Sequence, residues 1–219
     1  MGINAGKAAI FDLDGTLLDS MGVWDQVDID FLGRRGIAVP DDYMAAVCAM
    51  QFRQIAEYTI ARFGLPDTPE ALMAEWDAMA RTAYATTVEA KPHAVEYLRG
   101  LKESGASLAV ATTLTPALRG PAMAHVGIDV FFDEVVGVDD VGGVGKDRPD
   151  IYLEAARRLG VAPGDCTVFE DLLVGMRSAR AAGMAVWAVY DDSSADDWPR
   201  IRRLADGVLA DFADAPRRL

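Results

Sequence analysis

Cysteine is almost missing from this chain. Cys48 and Cys166 are the whole complement, too few and too isolated for a disulfide framework or a zinc site. They read as buried free thiols in a reducing compartment. Positive charge is also short: 21 Lys and Arg stand against 34 Asp and Glu, a net charge of −13. No Lys/Arg cluster breaks that balance, which excludes nucleic acid as the expected partner. No apolar stretch reaches membrane-spanning length, and the N-terminus lacks the apolar region of a signal peptide. A cytoplasmic protein with no membrane partner is the resulting expectation. Repeats and low-complexity linkers are absent too. What is present is bulk: 219 residues, 51% of them hydrophobic, enough for one large domain or for a core domain with an insertion.

The informative stretch is Ala8 to Leu17, AAIFDLDGTL. A short apolar run stops at two carboxylates, Asp12 and Asp14, and Gly15 and Thr16 follow at once. Asp-Gly alone would be an ordinary turn. An apolar strand that ends in acids and a glycine turn is how open α/β sheets build sites at their carboxyl ends.

Beyond Leu18 the period changes to that of a helix. Trp24, Val27, Phe31 and Leu32 predict a first helix closed by Gly36. Pro40-Asp41-Asp42 opens a second, which runs through Met50. Phe52, Ile55, Ala56 and Phe63 mark a third, and Leu72, Trp76, Met79, Ala80 and Ala83 a fourth, opened by Thr68-Pro69-Glu70. Four helices without an intervening strand predict an inserted bundle whose aromatic and Met stripe is its core. A hinge strand is expected near Lys91-Pro92. From there strands and helices alternate: strand Ser107–Ala111 ending in Thr112-Thr113, helix Pro116–Val126, a short strand within Val130–Val138, a loop Asp139–Gly145 before Lys146, and a helix through Tyr152. Strand Thr167–Phe169 runs into Glu170-Asp171, followed by helix Val174–Ala182 and strands Ala185–Tyr190 and Val208–Ala210. That order predicts an α/β fold, a Rossmann-like parallel sheet flanked by helices. Residues 1–18 and 88–219 would form the core domain, and 19–87 the helical cap. The polar candidates each lie just after a strand. His93 and His125 fall on predicted helices away from them and take no role.

FDLDGTL resembles the first signature of the haloacid dehalogenase-like superfamily, most of whose members are magnesium-dependent phosphohydrolases. The resemblance implies that Asp12 is a nucleophile toward phosphorus, forming an aspartyl-phosphate. Asp14 would protonate the departing alcohol and then activate water. Thr112, after its apolar strand, matches the second signature and, with Thr113 and nearby backbone N–H groups, would bind the transferring phosphoryl oxygens. Lys146 matches the lysine of the third signature and would neutralise phosphate charge, although Asp147 stands where a proline is usual. Glu170-Asp171 matches the fourth, with Leu172 in place of the usual small hydroxyl residue. Asp12, the main-chain carbonyl of Asp14, Asp171 and Glu170 would then hold Mg²⁺, with Glu170 bound directly, through water, or only orienting the others. A metal and one lysine would also give so acidic a chain the local positive field an anionic substrate needs.

Asp14 disfavours dehalogenation, which has no leaving alcohol to protonate. The insertion resembles the cap of the phosphoglycolate phosphatase and β-phosphoglucomutase group, so Ser20 and Trp24 near the hinge and Gln51 and Arg53 between the second and third helices are candidate substrate contacts. Three functions remain open on the sequence. They are a phosphatase acting on a small phosphate monoester such as a sugar phosphate, a phosphomutase using the same aspartyl-phosphate, and a non-catalytic phosphometabolite-binding protein. The mutases of the group usually carry histidine where Trp24 stands, which favours hydrolysis. The expected state is a monomer or weak homodimer.

Overall fold

A computed structural model of the chain describes residues 2–47, 50 and 52–219. It divides into two compact units, Gly22–Thr87 and Met1–Met21 with Val88–Leu219.

The smaller unit is helical: α1 (Val23–Arg34), α2 (Tyr43–Val47), α3 (Phe52–Phe63) and α4 (Pro69–Thr86). Thr68 caps α4 by accepting the Ala71 N–H at 3.2 Å, with Pro69 in the first turn, where its missing N–H costs nothing. Phe31 of α1 and Phe52 of α3 both pack on Trp76 of α4, with ring centroids 5.5 and 5.7 Å apart. The expected stripe is therefore core at Phe31 and Trp76, while Trp24 remains 37% exposed. α2 is described through Val47, and Cys48 and Ala49, inside the stretch predicted to run through Met50, lie outside the described residues.

The larger unit carries β1 (Ala8–Phe11), the hinge pair β2 (Leu18–Asp19) and β3 (Glu89–Ala90), then α5 (Ala94–Glu103), β4 (Ser107–Thr112), α6 (Pro116–His125) and β5 (Glu134–Gly137). It continues with α7 (Asp150–Leu159), β6 (Cys166–Glu170), α8 (Leu173–Ala181), β7 (Ala185–Val189), α9 (Trp198–Leu204) and β8 (Gly207–Leu209). Among the described residues the main sheet runs β5-β4-β1-β6-β7-β8, and its ladders are parallel. β2 and β3 form a separate antiparallel pair.

β1 is buried along its whole length, as a strand covered on both faces must be. On one face Ile10 packs with Ile151 and Tyr152 of α7, Val168 of β6 and Met176 of α8. On the other, Phe11 stacks on Phe169 at 4.6 Å, and Tyr97 of α5 meets both rings edge-on. The stretch Val130–Val138 holds the expected short strand, at Glu134–Gly137. Asp129–Phe131 form a 3₁₀ turn with Val130 exposed, and pairing begins only at Glu134, after Asp133 has turned its carboxylate to accept the Leu108 N–H at 2.9 Å. His93 is not helical either. It sits at φ 58° ahead of α5, its Nδ1 2.7 Å from Asp211 Oδ1. Cys166 is a buried free thiol. Among the described residues no helix is long and apolar enough to cross a membrane.

Candidate active site

β4, β1 and β6 are parallel neighbours, so their carboxyl ends share one edge of the sheet. Thr112 is the last residue of β4, Asp12 follows β1, and Glu170 ends β6 with Asp171 next. Asp12 is pinned there by its own N–H, which donates to the Phe169 carbonyl at 3.0 Å. Beyond Asp12 the chain folds on itself. The Leu13 carbonyl accepts the N–H groups of Thr16, Leu17 and Leu18 at 3.2, 2.9 and 2.8 Å. Gly15 makes the fold possible. Its φ is +78°, and a Cβ there would lie 2.6 Å from Asp171 Oδ2, so both conformation and space demand glycine.

That loop delivers two hydroxyls to two carboxylates. Thr16 Oγ1 donates to Asp171 Oδ1 at 3.0 Å, and Ser20 Oγ donates to the half-buried Asp14 at 2.5 Å. Lys146 is itself buried and donates to Asp12 and, at 2.9 Å, to Glu170 Oε1. Glu170 is saturated with donors. Oε1 also accepts from the Tyr152 hydroxyl at 3.1 Å, and Oε2 accepts the N–H groups of Asp171 and Leu172 at 2.7 and 2.9 Å. Asp171 is the opposite case: its Oδ2 is buried and has no hydrogen-bond partner among the described residues.

The electrostatics follow from burial. Asp12 is pushed up to about 7 by loss of solvent, against the pull of the Lys146 ammonium and with Glu170 and Asp14 adding repulsion. Asp171 is raised to about 10 by burial and then by the charges of Glu170 and Asp12. Burial works against the Lys146 charge, but Asp12 and Glu170 outweigh it and hold the ammonium above its usual pKa. Burial also opposes ionisation of Glu170, yet Lys146 and the Leu172 N–H keep its carboxyl below the ordinary value.

Three carboxyl groups share one ammonium, and burial and mutual repulsion hold Asp12 and Asp171 back from ionising, so a cation would favour their charged forms. Asp12, Glu170 and Asp171 offer oxygens within 4.8 Å of one another. A buried orphan oxygen in an all-oxygen donor set, with Gly15 leaving space at 2.6 Å, fits a hard divalent cation. Since the oxygens of Glu170 are already engaged, Asp12 and Asp171 are the better direct ligands, with Glu170 holding Lys146 and the backbone around them.

Thr112 is buried, and its Oγ1 accepts the Leu114 N–H at 3.0 Å, which tightens the turn after β4. Thr113 is exposed. In the helical unit Trp24 packs edge-on to Phe52 at 5.4 Å, and Arg53 is paired with Glu70 at 2.5 Å and Glu57 at 3.3 Å. Gln51 lies outside the described residues. Two contributors carry no signal of their own in the sequence: Thr16, which donates to Asp171, and Tyr152, which donates to Glu170. Spacing reveals neither contact.

A sequence profile for haloacid dehalogenase-like hydrolases matches residues 7–183. The chain is 34% identical over 177 residues to fructose-1-phosphate phosphatase YqaB of Escherichia coli K12, covering 80% of this chain and 92% of that protein. It is 31% identical over 230 residues to Protein CbbY of Rhodobacter capsulatus, covering 96% and 99%. A crystal structure described as a HAD family hydrolase of Deinococcus radiodurans R1, with bound phosphate and sodium, superposes with a TM-score of 0.76. It is 28% identical, covering 95% of this chain and 92% of that one.

Proposed function

This chain belongs to the haloacid dehalogenase-like hydrolase family and is a phosphatase, and we propose that it hydrolyses a small sugar phosphate or similar monoester through an aspartyl-phosphate on Asp12, with Mg²⁺ as its cation. The buried, unpartnered Asp171 Oδ2 beside Asp12 and Glu170 is the observation that carries the reading. It is an oxygen prepared for a positive partner that the described residues do not supply.

Asp12 and Asp171, with the main-chain carbonyl of Asp14, would hold the cation. When bound, it supplies positive charge that lets an anionic nucleophile approach an anionic phosphate. The chain's own groups do the rest. Lys146 donates to Asp12, which aims the carboxylate and offsets charge on the transferring phosphoryl group. Thr112 presents a hydroxyl from the end of β4, and its turn is locked by the Leu114 N–H. Asp14, which accepts from Ser20, would give a proton to the leaving alcohol and later take one from water. That two-step division asks for positioning and charge neutralisation more than for new bonds. Substrate choice falls to the helical unit, where Trp24 and Arg53 remain candidates, and the expected setting is cytoplasmic.

The test is a panel of sugar phosphates and other phosphomonoesters, assayed for free phosphate with and without Mg²⁺ and without any bisphosphate activator. Release that needs Mg²⁺ and vanishes in Asp12→Asn supports the reading. Turnover that appears only when a bisphosphate is added would instead assign a mutase. A panel with no release, or an Asp12→Asn rate equal to that of the wild type, would refute it.

A further inference from the structure

The Tyr152 side chain is fully buried on α7, on a different element from the acid it touches, Glu170 at the end of β6. Its ring belongs to the apolar cluster under the sheet with Ile10, Ile151 and Met176. Its hydroxyl does something the ring does not need. It donates to Glu170 Oε1 at 3.1 Å, the same oxygen that accepts Lys146 Nζ at 2.9 Å. The lysine ammonium in turn donates to Asp12. A chain of contacts therefore runs from Tyr152 through Glu170 and Lys146 to the nucleophile.

A second observation comes from the opposite side of this contact. Gly175, in the first turn of α8, lies so close that a Cβ there would stand 2.2 Å from Glu170 Oε1 and 2.6 Å from the Tyr152 hydroxyl oxygen. The helix leaves out a side chain where the tyrosine and the glutamate meet. The other Glu170 oxygen is fixed by two backbone N–H groups, so Oε1 is the end of the carboxylate whose orientation depends on side chains alone.

We propose that Tyr152 is a positioning residue for phosphoryl transfer. By donating to Glu170 Oε1, it sets the angle from which that carboxylate holds the Lys146 ammonium against Asp12. This rests on the reading of Asp12 and Lys146 above. Without the hydroxyl, Oε1 turns to follow the lysine alone, and the ammonium loses its fixed direction. A misdirected ammonium weakens stabilisation of the transition state more than capture of the ester, so the loss falls on kcat rather than KM.

The experiment compares wild type, Tyr152→Phe, Gly175→Ala and Tyr97→Phe in the full chain, with Mg²⁺ and an aryl phosphate. Tyr97→Phe removes another largely buried phenol, one that donates to the Pro216 carbonyl, and serves as the control. Tyr152→Phe is expected to lower kcat about tenfold with KM within about twofold and Tm within about 2 °C, a pattern that a packing defect would not give. Gly175→Ala should lower kcat as well, and Tyr97→Phe should leave it unchanged. A second readout does not depend on turnover: the ¹⁵N ammonium resonance of Lys146, identified by its loss in Lys146→Met, should shift or broaden in Tyr152→Phe and not in Tyr97→Phe. An unchanged kcat or an unchanged ammonium signal in Tyr152→Phe overturns the proposal. If the wild type hydrolyses no ester, the reading of function fails, and the ammonium comparison alone still decides whether Tyr152 positions Lys146.

Discussion

Thr16 reaches across 155 residues of chain to donate to Asp171 Oδ1 at 3.0 Å, leaving Oδ2 buried and unpartnered. One oxygen is tied down so that the other keeps its aim. Thr16→Val should therefore weaken Mg²⁺ binding about 10- to 100-fold, the usual cost of losing such a support, while Thr16→Ser should retain it. The Mg²⁺ concentration giving half-maximal rate measures this.

Gly15 is the backbone counterpart of that contact. Gly15→Ala forces a side chain into the left-handed region, at about 1–2 kcal/mol, and sets a methyl group 2.6 Å from Asp171 Oδ2. Displacing a reacting group by an ångström costs about 100-fold in rate. The variant should fold with a lowered Tm and lose activity by about that factor, read by thermal denaturation and steady-state rates.

If Asp12, Glu170 and Asp171 hold a cation as proposed, binding it should stabilise the fold. Saturating Mg²⁺ should raise the wild-type Tm, with about 2.7 kcal/mol of stabilisation at one hundred times Kd. EDTA should reverse the gain. Asp171→Asn, which takes away an oxygen that would bind the cation as a carboxylate, should show little or no gain. Calorimetry with and without Mg²⁺ decides it.

The helical unit carries its own pH dependence. Asp28, which accepts from the Tyr43 hydroxyl at 3.3 Å, is pushed up by burial to about 6 from 3.8. A carboxyl whose folded pKa lies above its unfolded value favours folding below the unfolded pKa and loses that advantage as pH rises through the folded one. The penalty is therefore complete at pH 7. Asp28→Asn should stabilise the protein there by about 1 kcal/mol once solvent screening of a half-buried group is allowed for, and by much less at pH 4. Tm measured across that range checks the sign.

The legible part of this molecule was its periodicity and its strand-end acids. Apolar runs such as Ala8–Phe11 and Leu108–Ala111 announce buried parallel strands, and parallel neighbours bring their carboxyl ends together, so Asp12, Thr112, Glu170 and Asp171 could be read as one edge. What stayed hidden is partnership. Whether Glu170 ligates or supports depends on donors from Lys146, Tyr152 and two backbone amides, and no spacing rule encodes a contact between separate elements. Where β5 begins inside Val130–Val138 was also hidden, because Val130 is apolar yet exposed. Hydropathy alone does not distinguish an exposed valine in a 3₁₀ turn from a buried one in a strand.

The most direct measurement is chemical trapping of the nucleophile. The protein is mixed with Mg²⁺ and a hydrolysed ester, quenched with borohydride, digested and mapped by mass spectrometry. The account predicts a reduced side chain, homoserine in place of aspartate, at residue 12, only when substrate is present and never in Asp12→Asn. Turnover that leaves residue 12 unreduced, or reduction at Asp14 or Asp171 instead, would contradict it.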